Sequence, residues 1–337
     1  MRYPEMLQKN DLIGICAPSD GIVDEFKIRR LDLAIKNLNK LGYRVIETES
    51  VRKSNKGRST SASKRAKEFM ELMENDEVKL ILYAAGGDFL MEMLDELDFE
   101  KLKTLPPKWT QGFSDITNLG FLFNTILDVP SMYCECVKDY AITPLYKNLT
   151  DSLDILSGKE VIQTSFEKYE KESNREKPEE PYNLTETVEW KNITGEKEIV
   201  LQGRSLGGCF DVIECLIGTK YDHIKEYIEK YKEDGILWFL ECYEMTTPQV
   251  TRKLWQMKNA GYFEHTKGII FGRPLYLRED YKINFEEAVL DATKDLNIPV
   301  ICGADIGHVP PQMAIVNGAI LKVTSKDGKG KVETFFK

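Results

Sequence analysis

The sequence predicts an α/β protein built from an N-terminal parallel-sheet α/β domain and a second, smaller α/β domain. Two observations lead there. Short apolar runs alternate with segments whose apolar residues recur at helical spacing, the β-α-β-α order that makes a parallel sheet with functional loops at the C-terminal ends of its strands. At 337 residues the chain also exceeds the usual single core, and a charged, aperiodic stretch divides its two alternating regions. The expected division is residues 1–140 as the N-terminal domain, 141–198 as an interdomain segment and 199–337 as the C-terminal domain.

In order along the chain, "LIGICAP" reads as a buried strand. Leu31, Ile35 and Leu38 mark a helix that stops at Gly42, a residue suited to the left-handed conformation of a helix end. "RVIET" is the next strand, and "SASKRAKEFMELM" is a helix with Ala66, Phe69, Met70 and Met73 on one face. "VKLILYAAGG" and "KWTQGFSD" are strands that each enter a helix, the second with Ile116, Leu119, Phe123 and Ile126 inward. From about Gly158 to Glu198 charge is dense and no period holds, which suits a solvated linker or a binding loop whose aromatics are Tyr182 and Trp190. Beyond it, "GILWFLE" and "GIIFGR" are strands around a helix that begins near Thr247 and Pro248, ends at Gly261 and buries Val250, Leu254 and Met257. Asn284 and Glu287 form a capping pair for "FEEAVLDATKDL", and "PVICGAD", "MAIVNGA" and "ILKVT" close the domain as strands.

Hydrophobic residues at 42% and charged residues at 30% fit a soluble globular chain and exclude a disordered one. The net charge of −9 disfavours nucleic acid and anionic membranes as partners and leaves a small molecule. No apolar run has the length of a membrane span or of a signal peptide's central region, so a cytoplasmic location is expected. The seven cysteines are scattered, which suits reduced thiols rather than disulfides. Only Cys134 and Cys136 are closely spaced, and with three histidines in the chain and no second cysteine pair nearby, no metal site is expected.

"TQGFSDITNL" places Ser114 between a strand and a helix, where it serves either as a helix cap or as a nucleophile on a sharp turn beginning at Gly112. A nucleophilic serine needs a base, usually a histidine that a carboxylate orients. His223 and His265 read as surface residues. His308, in the Gly- and Pro-punctuated loop "GADIGHVPPQMAI", is the candidate base or an ordinary loop histidine. Glu241 ends the apolar run "ILWFLE" where a buried strand emerges, and is the candidate acid, with Glu244 and Asp305 as fallbacks.

"IGICAPSD", "SASKRAKEFMELMENDEVKLILYAAGG", "GFSDITNL", "GRSLGGC", "GILWFLE", "GIIFGR", "IPVICGADIGH" and "AIVNGA" occur in that order. In these segments the chain resembles the LD-carboxypeptidase family of serine peptidases, which includes the microcin C immunity peptidases. The resemblance implies a catalytic triad of Ser114, His308 and Glu241, with an oxyanion hole from the backbone N–H of Asp115 and the turn at Gly87 and Asp88. It further implies an active site in the interdomain cleft, a homodimer, and no metal or organic cofactor. Two segments depart from the family: "SMYCECVKDY" where relatives commonly have Gly-Pro, and "GGC" at Gly207 to Cys209 where they often have "GGN".

The implied substrate is a small peptide, cleaved at the L,D bond to the terminal D-alanine of a murein tetrapeptide. The alternative is an aminoacyl-nucleotide of the microcin type, with Trp190 as a stacking residue. Arg204, or else Arg273, is the candidate to hold a terminal carboxylate. A binding protein on the same scaffold, without catalysis, is the competing class, and a nucleotide-binding Rossmann enzyme is disfavoured because its glycine fingerprint is absent.

Overall fold

The computed structural model describes residues 1–337 and groups them into two compact units, residues 1–161 with 173–183 and residues 162–172 with 184–337. The second unit is only slightly smaller than the first.

In the first unit, strands Leu12–Cys16 (β1), Arg44–Glu47 (β2), Val78–Tyr83 (β3), Trp109–Gly112 (β4) and Ser131–Tyr133 (β5) make a sheet in the order β5-β4-β3-β1-β2. Every pairing in it is parallel. β1 is buried along its whole length, as its unbroken apolar run requires of a strand covered on both faces. Helix Glu25–Lys40 (α1) starts at Asp24, whose carboxylate accepts the N–H of Lys27, and buries Leu31, Ala34 and Leu38. Helix Ala62–Glu74 (α2) starts at Ser61 and buries Ala66, Phe69, Leu72 and Met73, whereas Met70 is half-buried. Helices Phe99–Thr104 (α3), Thr117–Thr125 (α4) and Lys147–Leu156 (α5) complete this unit.

The second unit is built on strands Ile162–Thr164 (β6), Lys168–Glu170 (β7), Leu184–Thr187 (β8), Lys191–Asn192 (β9), Glu198–Cys209 (β10), Ile236–Glu241 (β11), Thr266–Gly272 (β12), Val300–Ala304 (β13), Ile315–Asn317 (β14), Ile320–Lys326 (β15) and Lys329–Phe335 (β16). Eight of them form a sheet in the order β6-β16-β15-β10-β11-β12-β13-β9, while β7 and β8 pair separately. β10 through β13 run parallel, and the flanking strands are antiparallel. Helices Phe210–Leu216 (α6), Ile224–Lys230 (α7), Thr247–Asn259 (α8) and Phe285–Thr293 (α9) belong to this unit. α8 opens with a capping box between Thr246 and Gln249 and buries Val250, Leu254 and Met257. α9 opens with the Asn284–Glu287 capping box that the sequence predicts.

Residues 141–198, expected as an interdomain segment, carry defined structure shared between the units. α5 buries Leu149, Leu153, Ile155 and Leu156 in the first unit, and β6 to β9 belong to the second. Isolated apolar anchors hold the charged stretch in place: Tyr182, Val188 and Trp190 are all buried. No helix is long and apolar enough to cross a membrane.

Candidate active site

Ser114 sits where β4 turns toward α4, and its φ of 65° lies in the left-handed region that a non-glycine residue rarely enters. This geometry rules out the helix-cap reading, because a capping residue adopts extended angles, and neither the short turn Ser114–Ile116 nor α4 receives a side-chain cap. The backbone N–H of Ser114 points to the hydroxyl of Tyr133 at 3.4 Å. The "GG" turn after β3 comes against the serine: a Cβ on Gly86 would lie 2.9 Å from the Cβ of Ser114 and 3.0 Å from its Oγ. Only glycine admits this approach. Gly87 and Asp88 follow in the same turn and are exposed.

Asp115 holds these two turns together through its side chain. Its Oδ2 accepts the Ser19 hydroxyl at 2.5 Å and the Leu90 N–H at 2.9 Å, and its Oδ1 accepts the Asn118 amide at 2.8 Å. Burial pushes the Asp115 carboxyl above its ordinary range, and the Ser19 and Leu90 hydrogen bonds work against that rise. The sequence assigned Asp115 a role through its backbone alone. Its side-chain role was not foreseen, because Ser19 and Leu90 are far from it along the chain.

In the second unit Glu241 ends β11 and is fully buried, and its Oε2 lies 2.9 Å from Nδ1 of His308. The pair meets because Gly307, at φ 94°, lets the loop after β13 drop onto the carboxylate; a Cβ there would lie 2.5 Å from Cγ of Glu241. The ring of Tyr243 packs on that of His308 at 4.5 Å between centroids. Cys209 lies opposite Glu241 in the parallel register of β10 and β11, so both side chains leave the sheet on one face. The donor atoms of Cys209, Glu241 and His308 all lie within 4.8 Å of one another. Linear spacing gave no sign of this grouping, since it depends on strand register. Burial, and then the charge of Glu241, push the Cys209 thiol well up.

Arg273 is a brace for this loop and not a clamp for a substrate carboxylate. It donates to Asp305 at 2.6 Å and to the carbonyls of Val309 and Pro311 at 2.8 and 3.1 Å, on both sides of His308. Asp305, a fallback acid, is thereby occupied, and it also accepts the indole N–H of Trp190 at 2.9 Å. Trp190 is therefore a packing residue of the second unit, only 2% exposed, and does not present the stacking surface expected of it. Arg204 is likewise committed, to Asp234 at 2.8 Å and to the Gly318 carbonyl at 2.7 Å, with its guanidinium over the Tyr231 ring. Glu244 and His265 are exposed and His223 is half-buried.

Residues 13–134 match the model of the LD-carboxypeptidase N-terminal domain, and residues 202–323 match that of the LD-carboxypeptidase C-terminal domain. The chain is 23% identical over 333 residues to a probable murein peptide carboxypeptidase of Bacillus subtilis, covering 98% of this chain and 94% of that one. It is 24% identical over 331 residues to the microcin C7 self-immunity protein MccF of Escherichia coli, covering 94% and 91%. Among solved structures, an MccF-like protein from Bacillus anthracis superposes over 100% of both chains with a TM-score of 0.83 at 22% identity, a likeness of fold.

Proposed function

Because the chain belongs to the LD-carboxypeptidase family, we propose that it is a serine hydrolase of the carboxypeptidase type, acting through Ser114, His308 and Glu241 on the L,D amide to the terminal D-alanine of a murein tetrapeptide. The observation that carries this reading is the contact of His308 with the buried Glu241, 2.9 Å apart at a strand end. A buried carboxylate on Nδ1 fixes the tautomer that leaves Nε2 as proton acceptor and stabilises the imidazolium that forms.

In this mechanism His308 takes the hydroxyl proton of Ser114 as the serine oxygen attacks the scissile carbonyl. The backbone N–H groups of Asp115 and the Gly87–Asp88 turn receive the oxyanion. The protonated imidazole then gives its proton to the departing amine of D-alanine, and water releases the acyl group by the same path in reverse. Removing one oxyanion donor from such a site costs about 3 kcal/mol of transition-state stabilisation. The left-handed Ser114 supports the nucleophile assignment, since strain of this kind at a strand-to-helix turn lifts an oxygen clear of the sheet.

The test is mass spectrometry of murein tetrapeptide incubated with the wild type, Ser114→Ala and Glu241→Gln, alongside labelling by a fluorophosphonate probe. Wild type is expected to release one D-alanine and to take the label. Ser114→Ala should do neither, and Glu241→Gln should lose about 10³ to 10⁴ in kcat. Release of D-alanine by Ser114→Ala would refute the triad. A labelled wild type that leaves the tetrapeptide intact moves the substrate to an aminoacyl-nucleotide, the class suggested by the self-immunity relative, and an unlabelled wild type makes the chain a binding protein.

A further inference from the structure

We propose that Cys209, Glu241 and His308 form a binding site for one thiophilic divalent cation, of the zinc or cadmium class, and that its occupancy switches off hydrolysis. The inhibition half of this proposal rests on the triad reading above; the binding half does not.

The geometry is nearly that of a metal site. With metal–sulfur and metal–nitrogen or metal–oxygen bonds of about 2.3 and 2.1 Å, tetrahedral ligands stand roughly 3.5 Å apart. Here all three donor atoms already fall within 4.8 Å of one another, with the Glu241 and His308 atoms 2.9 Å apart. Rotations that move donor atoms by about 1 Å would gather them around a cation. The three ligands rest on separate supports, the ends of β10 and β11 and the loop that Arg273 braces, so the grouping is built into the sheet.

Charge favours the same conclusion. A thiolate and a carboxylate around a neutral imidazole balance a divalent cation, so a buried group of potential anions becomes neutral when the ion enters and the thiol proton leaves to solvent. Sulfur in the donor set selects zinc or cadmium over magnesium or calcium. Three protein ligands leave a fourth position open. Asp211, whose Oδ2 is 3.7 Å from the Cys209 sulfur, does not fill that position, because its carboxylate accepts the N–H groups of Tyr243 and Glu244 at 2.9 and 3.0 Å. A cation seated here takes Glu241 away from His308 and ties up the imidazole, which removes the proton acceptor of the proposed reaction.

The experiment uses the full chain with the exposed thiol removed by Cys215→Ser. Cadmium is titrated while the ultraviolet thiolate-to-metal charge-transfer band is followed, and zinc affinity is measured by competition with a chromophoric chelator. One equivalent is expected to bind. Cys209→Ser should abolish the cadmium band, and zinc affinity should fall ~100-fold in Cys209→Ser and at least ~10-fold in His308→Ala, which keeps the thiol. Circular dichroism confirms that each variant is folded. Activity, normalised to each metal-free variant, should fall with zinc in the parent, recover with chelator, and resist zinc in Cys209→Ser. Absence of the band in the parent, or equal zinc affinity in parent and His308→Ala, overturns the site. If Ser114 is labelled and no metal binds, this proposal fails while the hydrolase stands; if one metal binds and Ser114 is never labelled, the site stands and the hydrolase fails.

Discussion

Replacing Asp115 by alanine removes an acceptor shared by three buried donors. The Ser19 hydroxyl can rotate toward another partner, and the Asn118 amide keeps its 3.0 Å bond to the Asp115 carbonyl. The Leu90 N–H is fixed by its backbone and loses its partner outright. A fully orphaned donor costs about 1–3 kcal/mol and a redirected one less, so Asp115→Ala should destabilise the Ser114 and "GG" turns by about 3 kcal/mol. Asp115→Asn behaves differently. Its amide oxygen still accepts from Ser19 and Leu90, and only the acceptor of the Asn118 amide is lost, while that amide keeps its bond to the residue-115 carbonyl. The asparagine also spares the cost of a buried carboxylate whose pKa is raised by burial. That cost is present above the folded-state pKa and vanishes as pH falls through it, so any advantage of Asp115→Asn should shrink in acid. Amide hydrogen exchange at Leu90 reads the effect locally: about 3 kcal/mol corresponds to roughly 100-fold faster exchange in Asp115→Ala, against less than ~10-fold in Asp115→Asn. Equal exchange in the two variants would refute the account of Asp115 as the tie between the turns.

Ser114→Gly should raise stability by about 1 kcal/mol, since glycine adopts φ 65° without strain, yet abolish probe labelling; a loss of stability in urea denaturation would contradict the strained-turn reading. Lys108 is pushed down to about 8 by burial while it donates to the carbonyls of Leu72 and Asn75 at the end of α2. Between that value and the ordinary lysine pKa the unfolded chain binds the extra proton, so Lys108 costs stability below about pH 8 and the cost fades as pH rises. The stability difference between wild type and Lys108→Met should accordingly shift in favour of wild type by about 2 kcal/mol over the two pH units above 8, measured from urea midpoints. A difference that does not change with pH would exclude this titration.

The parts of the fold that were legible in the sequence are those where one period runs long enough to name an element. Leu31, Ile35 and Leu38 place α1, although Ile35 is only half-buried, "ILWFLE" places β11, and the Asn284–Glu287 pair marks the start of α9 within a residue. Ser114, Glu241 and His308 could be picked out as candidates because each stands where an apolar run breaks into a turn, but that local punctuation left each one open, and only the family resemblance grouped them. β6 to β9 were not legible, because their buried anchors are single apolar residues scattered among charges, without a period to reveal them. The hydrogen-bond partners of Arg204, Arg273 and Trp190 were hidden on the same ground. A polar or aromatic side chain shows its chemistry in the sequence but not its partner, and Asp234, Asp305 and the Val309 and Pro311 carbonyls are set by tertiary structure. The nearness of Cys209 to Glu241 also waits on register, which no single strand specifies.

The brace on the His308 loop has a consequence for variation. Two of the three groups that Arg273 grips are main-chain carbonyls, those of Val309 and Pro311, and every residue type supplies a carbonyl. Exchanging the side chains of Val309 and Pro310 leaves those anchors unchanged, whereas inserting or deleting one residue between Gly307 and Pro311 moves a carbonyl out of the guanidinium's reach and carries the imidazole off Glu241. Apart from Gly307 and His308 the loop therefore encodes its geometry as a count of peptide units, and across divergent sequences its length should hold where the composition of its other positions drifts.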